Sequence, residues 1–311
     1  MCGIAGIIYR ENGAEHDVGL DMTRMLQSMK HRGPDSTGYA LYGEPHDLIV
    51  MRFKLADANT PRDFEFHDRL RRHRALVEQR LLRLGAQVQD IKEETDYAFR
   101  VTLNYDGELK TLADLVEDVP DCEVLSLGHS LEIVKDLGDA ETVASQYGLE
   151  KVRGTHAIGH VRMATESDVD ISGAHPYWAY PFPDVAVVHN GQLTNYFHWK
   201  RRLERSGHRF QSECDSEIIA VYIAEKLAGG SSLDDAMNQS LDDLDGVFTY
   251  ICVTGEALGV AKDEMAAKPL VLYESDGLVA LASEEIAIRA LIDHEIETYD
   301  PYEREVLVWR R

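Results

Sequence analysis

The sequence predicts an α+β protein in which stacked β-sheets are covered by layers of helices. Residues 151–311 carry a series of short apolar runs typical of strands, and these runs follow one another closely. The helices predicted in this part occur as a pair, at 195–205 and 216–227, and glycine follows each of them. Strands in runs and helices in pairs favour stacked sheets with helical layers over alternating βαβ units.

The N-terminal block predicts a strand, a helix and a second strand. The first strand covers 4–9 and follows Cys2 almost directly, so that cysteine is expected at the edge of a core. A helix is expected at 20–29, a turn at the Arg-Gly-Pro-Asp-Ser sequence of 32–36, and a strand at 39–42.

Residues 44–150 differ in character and are expected to form an insertion of uncertain role. Apolar residues from Leu70 to Ile91 recur at steps of three, four or seven, which predicts one long amphipathic helix. The arginines around this apolar face form either a solvated surface or a docking surface for an acidic partner. They are Arg69, Arg71, Arg72, Arg74, Arg80 and Arg83.

Composition and charge exclude several classes of protein. The 311 residues are 44% hydrophobic and carry a formal net charge of -23, which argues against binding to nucleic acid or to an anionic membrane. No apolar run reaches the roughly 18 residues of a membrane helix, and the N-terminus lacks the pattern of a signal peptide. The 4 cysteines form no metal-ligand or disulfide pattern, so we expect a cytoplasmic protein without a metal site.

Cys2 is the first candidate catalytic residue. A small residue at position 2 favours removal of Met1, after which one residue would carry both a thiol and a free α-amine. Such groups have ordinary pKa values of about 8.5 and about 8, so the amine can act as the base for the thiol. Taken alone, Cys2 also fits the commoner role of a buried structural cysteine at the start of a strand.

An acyl-transfer site also needs hydrogen-bond donors for the developing oxyanion. The apolar strand 185–189 ends in Asn190-Gly191, where a side-chain amide and a backbone N–H could provide two such donors. A plain turn is the alternative interpretation, because Asn-Gly is a common turn sequence.

An amino-acid substrate needs a cation for its carboxylate and an anion for its ammonium group. Arg162 lies in a predicted strand with Thr165 close by, and an inward-facing guanidinium suits a carboxylate. Asp215 opens a predicted helix and could bind the ammonium group, although a helix cap in an acidic first turn explains it as well.

Together these segments form a specific pattern. In chain order they read MCGIAG, HRGPDSTG, GHVRMAT, HNG and ECDSE, followed by KPL at 268–270 and ASEE at 282–285. This order resembles the class II glutamine amidotransferases, a family of N-terminal-nucleophile hydrolases. The resemblance spans nearly the whole chain and is weak only over 44–150. It implies a single amidotransferase domain over 1–311, folded as a four-layer αββα sandwich of two antiparallel sheets.

The resemblance also implies how each motif residue acts. Cys2 would attack the side-chain amide of L-glutamine, while its α-amine passes a proton to the leaving ammonia. Asn190 and Gly191 would hold the oxyanion, and Arg32 would order the loop near the nucleophile. Water would then release glutamate from the thioester.

For the substrate, the resemblance implies that Arg162 binds the α-carboxylate with support from Thr165, and that Asp215 binds the α-ammonium group. Two positions depart from the family pattern. Met163 stands where an aromatic residue often follows the arginine, and Glu166 stands where His or Asn is frequent. Both would alter the wall or the lid of the pocket.

Class II domains usually deliver ammonia to a second active site, and the sequence shows no second domain for one. It has no ATP-pyrophosphatase loop, no Fe–S cysteine cluster and too few further residues for a sugar-isomerase or phosphoribosyltransferase domain. The chain therefore resembles the amidotransferase subunit of glutamate-synthase-like complexes, above all N-methylglutamate synthase. That resemblance implies a β-helical partner subunit and a partner with FMN and Fe–S clusters, and no cofactor on this chain.

Two other classes of protein remain open. A stand-alone N-terminal-cysteine amide hydrolase would use Cys2 and the same oxyanion donors without channelled ammonia, and would have little need for Arg162 and Asp215. A non-catalytic scaffold with the same fold would retain Met1 or carry an inert Cys2, and the intact set of motif residues disfavours it.

Overall fold

The first of three sheets is antiparallel and holds the N-terminal strand near its centre. The computed structural model describes residues 2–10, 16–163 and 173–311. Numbered in chain order and taken from edge to edge, the strands are β13 (Val271–Glu274), β14 (Leu278–Ala282), β1 (Gly3–Tyr9), β8 (His156–Arg162), β2 (Ser36–Tyr42) and β7 (Leu131–Leu137). The apolar side chains of β1 are fully buried on both faces of the sheet, namely Ile4, Ala5, Ile7 and Ile8. This burial explains why a strand begins so close to the N-terminus.

The second sheet is also antiparallel and packs face to face on the first. Its three inner strands contact β1, and two of them also contact β8, so that a continuous apolar core fills the space between the two sheets. From edge to edge its strands are β15 (Val306–Arg310), β12 (Ala257–Lys262), β11 (Gly246–Val253), β10 (Ala186–Leu193) and β9 (Tyr177–Trp178).

Helices cover the outer faces of both sheets. On the first sheet these are α1 (Val18–Ser28), α4 (Ala140–Tyr147) and α8 (Glu285–Arg289). On the second sheet they are α5 (Tyr196–Arg205), α6 (Asp215–Ala228) and α7 (Leu233–Asp243), above a second apolar core. The expected four-layer αββα arrangement is therefore confirmed.

A third sheet forms a separate unit, residues 49–128, which we call the third-sheet unit. From edge to edge its strands are β4 (Gln87–Glu93), β5 (Ala98–Asn104), β3 (Ile49–Lys54) and β6 (Glu123–Gly128). Two helices pack on it, α2 (Phe66–Arg83) and α3 (Leu109–Glu117). The rest of the expected insertion joins the main layers, because β7 pairs with β2 along its whole length and α4 packs on α1.

The prediction of one long helix reaching Ile91 is wrong for its C-terminal part. The helix α2 ends at Arg83, and Gly85 follows with φ +79°, a left-handed conformation that stops a helix at little cost for glycine. Val88 and Ile91 belong instead to β4, an edge strand whose side chains are mostly exposed. Their spacing fitted a helix by coincidence.

The arginines of α2 contact groups within the third-sheet unit itself. Arg80 donates to the carbonyl oxygen of Leu115 in α3 at 2.6 Å, which ties the two helices together. Three more pair with acidic residues, namely Arg69 with Asp63, Arg71 with Asp68, and Arg74 with Glu78 and Glu93. These ion pairs support the interpretation as a solvated helix surface.

Within the described ranges, no helix combines the length and the apolar character that crossing a membrane requires.

Candidate active site

Cys2 lies directly before β1, next to the end of β8, where Val161 pairs with Gly3. It is partly buried and its thiol is free. Two residues later, Ile4 forms two hydrogen bonds with Ser283. The Ile4 N–H donates to the Ser283 hydroxyl at 3.0 Å, and the Ile4 carbonyl oxygen accepts from the Ser283 N–H at 2.9 Å. The ASEE segment therefore fixes the backbone that carries Cys2.

Arg32 holds the backbone of Cys2 from the turn that follows α1. Its Nε donates to the Cys2 carbonyl oxygen at 3.1 Å, and its Nη1 donates to Glu284 at 2.6 Å. Burial alone would raise the pKa of Glu284, but hydrogen bonds from Arg32 and His31 hold that pKa below its ordinary value. Glu284 is thus an anionic anchor for Arg32, which contacts the backbone of Cys2.

Asn190 and Gly191 lie inside β10 rather than in a turn, so the alternative interpretation of this dipeptide is wrong. They pair with Thr249 and Phe248 of β11, and β10 continues beyond them. The Asn190 Nδ2 donates to the Cys2 carbonyl oxygen at 3.2 Å. Gly191 has φ +149°, and a Cβ there would overlap the Val247 carbonyl oxygen, so no other residue fits.

The predicted site residues meet at one cavity of about 410 Å³. Its lining includes Cys2, Arg162, Asn190, Gly191 and Asp215, which come from the start of β1, the end of β8, the middle of β10 and the start of α6. The strands of both sheets therefore contribute. Five of the seven site residues named from the sequence therefore line this cavity. Arg32 is not part of the lining but contacts Cys2. Thr165, like Glu166, lies outside the described residues.

Arg162 ends β8 with its guanidinium against Gly173. A Cβ on Gly173 would lie 2.7 Å from Nη1 of Arg162, so the backbone passes directly over the guanidinium. Gly33, in the turn that carries Arg32, packs closely on the backbone of Arg162. A Cβ on Gly33 would overlap the Arg162 carbonyl carbon. Glycine at these two positions is what allows the turn and the cavity wall to close around Arg162.

Asp215 is the first residue of α6 and links that helix to β10. Its Oδ2 accepts from the Leu193 N–H at 2.7 Å, and its Oδ1 lies 3.7 Å from Nδ1 of His189. The cap position of α6 is occupied by Cys214, and the Asp215 carboxylate satisfies a strand N–H rather than a helix N–H. Its position at the cavity is therefore not explained by helix capping.

Three histidines that the sequence analysis passed over form a buried row beside Asp215. Ser216 stands between two of them, with its hydroxyl 2.6 Å from Nε2 of His175 and 2.7 Å from Nδ1 of His189. The rings of His160 and His175 are stacked with centroids 4.2 Å apart.

Burial lowers the pKa of each of these histidines, and that of His160 falls to about 3. At neutral pH all three rings are uncharged. His189 and His175 line the cavity, so their part of the wall carries no charge. The signal was present in the sequence: His160, His189 and Ser216 lie inside the motifs GHVRMAT, HNG and ECDSE.

Glu217 is a further residue that the sequence analysis missed. It is almost fully buried, which raises the pKa of its carboxyl. The carboxyl accepts from the Gln211 N–H at 2.8 Å, the Ser212 N–H at 2.9 Å and the Ser212 hydroxyl at 2.7 Å. Glu217 thereby fixes the loop that forms the cavity wall ahead of Asp215.

In the described part of the chain, no three His, Cys, Asp or Glu side chains are arranged to hold a metal ion.

Comparison with known proteins gives a consistent result. A family model described as a glutamine amidotransferase domain matches residues 160–290. A protein of Methanothermobacter thermautotrophicus, provisionally named a glutamine amidotransferase, is 41% identical over 97% of this chain and 98% of its own length. The glutamine amidotransferase-like protein GlxB of Rhizobium meliloti is 32% identical over 99% of this chain and 98% of its own length.

A solved structure has the same fold. The glutamine phosphoribosylpyrophosphate amidotransferase from B. subtilis superposes with a TM-score of 0.61 at 20% identity, over 99% of this chain and 47% of that one. The end-to-end relatives, the matching family model and the shared layers agree with the motifs gathered at the cavity, and the chain belongs to the class II glutamine amidotransferases.

Proposed function

We propose that this chain hydrolyses L-glutamine to glutamate and ammonia through a thioester on Cys2 and passes the ammonia to a partner synthase subunit. The observation that carries the proposal is the meeting of Cys2, the Asn190 amide and two opposite charges, Arg162 and Asp215, at one cavity. A thiol, an oxyanion donor and a cation–anion pair are what hydrolysis of an amino-acid amide requires.

The substrate is oriented by the two charged groups. Arg162 binds the α-carboxylate of glutamine, with Thr165 as a predicted support, and Asp215 binds the α-ammonium group. The Leu193 N–H holds Oδ2 of Asp215 at 2.7 Å, which fixes the carboxylate at the cavity wall. The histidines beside Asp215 are uncharged and do not repel the ammonium group.

The reaction proceeds in two halves. The Cys2 sulfur attacks the amide carbon, and the oxyanion accepts hydrogen bonds from the Asn190 side chain and the Gly191 N–H. The α-amine of Cys2, freed by removal of Met1, takes the thiol proton and gives it to the departing nitrogen, so ammonia leaves and a thioester remains. Water then attacks the thioester with the same amine as base, and glutamate and the free thiol are regenerated.

Arg32 keeps the nucleophile in place during both halves. The Cys2 carbonyl oxygen is bound by Arg32 Nε and Asn190 Nδ2, at 3.1 and 3.2 Å. This fixes the backbone of Cys2 while its side chain and amine react. A positioned nucleophile removes much of the entropy cost of the attack.

The proposed setting is a cytoplasmic synthase of the glutamate-synthase-like kind, with N-methylglutamate synthase as the closest assembly. FMN and Fe–S clusters would lie on a partner subunit, beside a β-helical partner. The feature of the sequence that supports this setting is the long segment 44–150, which exceeds what compact members of the family need.

The first test of the chemistry is intact-mass spectrometry before and after treatment with 6-diazo-5-oxo-L-norleucine, a reactive glutamine analogue. We expect a mature chain without Met1 that gains one adduct, mapped to Cys2, and a Cys2→Ala variant that gains none. A retained Met1, or a mature chain that takes up no adduct, would count against the thioester mechanism.

The second test separates the proposed subunit from a stand-alone amide hydrolase. Glutamine turnover by the purified chain is expected to be slow and to rise when the synthase subunits are added. Glutamine blocked at its α-amine should not be hydrolysed, since Asp215 would have no ammonium group to bind. Rapid turnover of the blocked substrate by the isolated chain would favour the alternative.

A further inference from the structure

The third-sheet unit touches the loop that leads into Asp215. Gln211 is at the centre of this contact: its side-chain Nε2 donates to the Glu117 carboxylate in α3 and, at 3.1 Å, to the Val124 carbonyl oxygen in β6. The backbone of the same residue faces the opposite way, toward Glu217 of α6. Gln211 therefore joins the third-sheet unit to the helix that carries Asp215.

Arg209, two residues before Gln211, forms a second contact between this loop and the third-sheet unit. Its guanidinium forms ion pairs with Asp114 in α3 at 3.0 Å and with Asp118, the residue directly after α3, at 3.4 Å. The Tyr180 hydroxyl, from the segment after β9, donates to Asp114 as well. The end of α3 is thus bonded to two segments of the second sheet's layer.

A second contact reaches another part of the cavity wall. Glu123 of β6 pairs with Lys135 of β7 at 3.0 Å, and the Lys135 ammonium donates to the Ala174 carbonyl oxygen at 3.3 Å. Ala174 lies between Gly173 and His175, which both line the cavity. The Lys135 ammonium also lies 5.2 Å from the centre of the Tyr177 ring, so this side chain is held on several sides.

The two contacts hold two neighbouring parts of the cavity wall. One holds the wall formed by Ser212, Glu213 and Cys214, and the other holds the wall formed by Gly173 and His175. The nucleophile side is independent of both, because Cys2 is held by Arg32 and Asn190. A change in the third-sheet unit would therefore move the walls that face the substrate and leave the nucleophile in place.

We propose that the third-sheet unit positions the glutamine pocket, with Gln211 as the positioning residue that ties the loop ahead of Asp215 to that unit. This inference rests on the proposed glutaminase activity. It assigns to the third-sheet unit control over substrate affinity, and it leaves the bond-breaking steps to residues of the main layers.

The test is a pair of substitutions at Gln211, whose side chain is exposed enough to be changed without opening a core. Gln211→Ala removes the donating amide, and Gln211→Glu keeps the size but places a carboxyl group against the Val124 carbonyl oxygen. We expect KM for glutamine to rise about fivefold to tenfold in Gln211→Ala and further in Gln211→Glu, with kcat within twofold of the parent.

The matched control is Arg62→Gln, which breaks an exposed ion pair with Asp96 in the same unit but away from the loop. Its KM should stay at the parent value. An unchanged KM in both Gln211 variants, or an equal rise in the control, would overturn the proposal.

A second readout does not depend on turnover. Hydrogen exchange of the amides at 211–214 should be faster in Gln211→Ala than in the parent, because the loop loses its side-chain attachment. If the parent hydrolyses no glutamine but exchange at 211–214 accelerates, the glutaminase assignment fails and the attachment stands. If the parent is active and exchange does not change, the positioning of the loop by Gln211 is wrong.

Discussion

The carbonyl oxygen of Cys2 accepts hydrogen bonds from side chains of two different layers. Asn190 approaches it from the second sheet and Arg32 from the turn after α1, so a displacement of either layer disturbs the nucleophile. Most residues that act here could be named from the sequence, because their types match the charge and donor requirements of the reaction. His175 could not, since it lies outside the motifs and its contact with Ser216 joins residues far apart in the chain.

The Asn190 side chain should matter for rate far more than for folding. In Asn190→Ala the oxyanion loses one donor, and we expect kcat/KM for glutamine to fall by about 10² to 10³. The melting temperature should shift little, because the amide has one hydrogen bond to lose. Steady-state kinetics beside thermal unfolding checks this, with the exposed Asn238→Ala as the control. A loss below tenfold would remove Asn190 from the oxyanion hole.

Gly191 should be intolerant of any side chain. Gly191→Ala places a Cβ onto the Val247 carbonyl oxygen and requires an unfavourable φ, so we expect a loss of about 2–5 kcal/mol in the free energy of unfolding. Gly148 is the matched control, since its φ is +66° and a Cβ there meets open space. Gly148→Ala should cost about 1 kcal/mol. Urea denaturation measures both, and equal losses would show that φ alone sets the requirement.

At the scale of elements, the strands with apolar runs were predictable and the charged ones were not. The strand β7 was missed because Glu132, Lys135 and Asp136 interrupt its apolar pattern. Each charge has a partner from another element: Asp136, for example, accepts from the Tyr97 and Tyr147 hydroxyls at 2.6 and 2.8 Å. A sequence pattern cannot show such partners, and an unpaired charge would indeed have excluded a buried strand.

The ion pairs of Glu123 with Lys54 and Lys135 make the free energy of unfolding depend on pH. Burial alone would raise the pKa of Glu123, but Lys135 and Lys54 hold it at about 2. An unfolded glutamate titrates near 4.3, so the stabilisation is complete above that pH and is lost as the pH falls toward 2.

Glu123→Gln should therefore be less stable than the parent by about 3 kcal/mol at pH 6, and by about half of that at pH 3. Urea denaturation at both pH values measures the difference, and Glu303→Gln, at an exposed position, should show none. A gap that stayed constant or widened with acid would mean that Glu123 is not ionised in the folded protein.

For the whole molecule, the four layers followed from the sequence but the boundary of the third-sheet unit did not. The match to the family motifs weakens over 44–150, and nothing in that stretch marks the return to the first sheet at Leu131. The two end-to-end relatives align across this stretch as well. The layers themselves were readable because apolar runs and paired helices are repeated along the second half of the chain.

Because the cavity is lined from both sheets, a bound product should stabilise the molecule as a whole. At about a hundred times its Kd, L-glutamate would add about 2.7 kcal/mol, or about 3–6 °C in melting temperature. Differential scanning fluorimetry checks this, with D-glutamate as the control ligand and Arg162→Gln as the control variant. An equal shift with D-glutamate, or a shift retained in Arg162→Gln, would contradict the assigned carboxylate site.

The central place of β1 has a consequence for the timing of activity during synthesis. Its two neighbours in the sheet are β8 and β14, so Ala5 pairs with Gly159 on one side and with Ala282 on the other. Cys2 leaves the ribosome first, yet its strand gains its second neighbour, and Arg32 its anchor at Glu284, only after nearly the whole chain has emerged. A growing chain thus carries Cys2 without these partners, and we expect the proposed hydrolysis of glutamine to begin only after β14 has paired with β1.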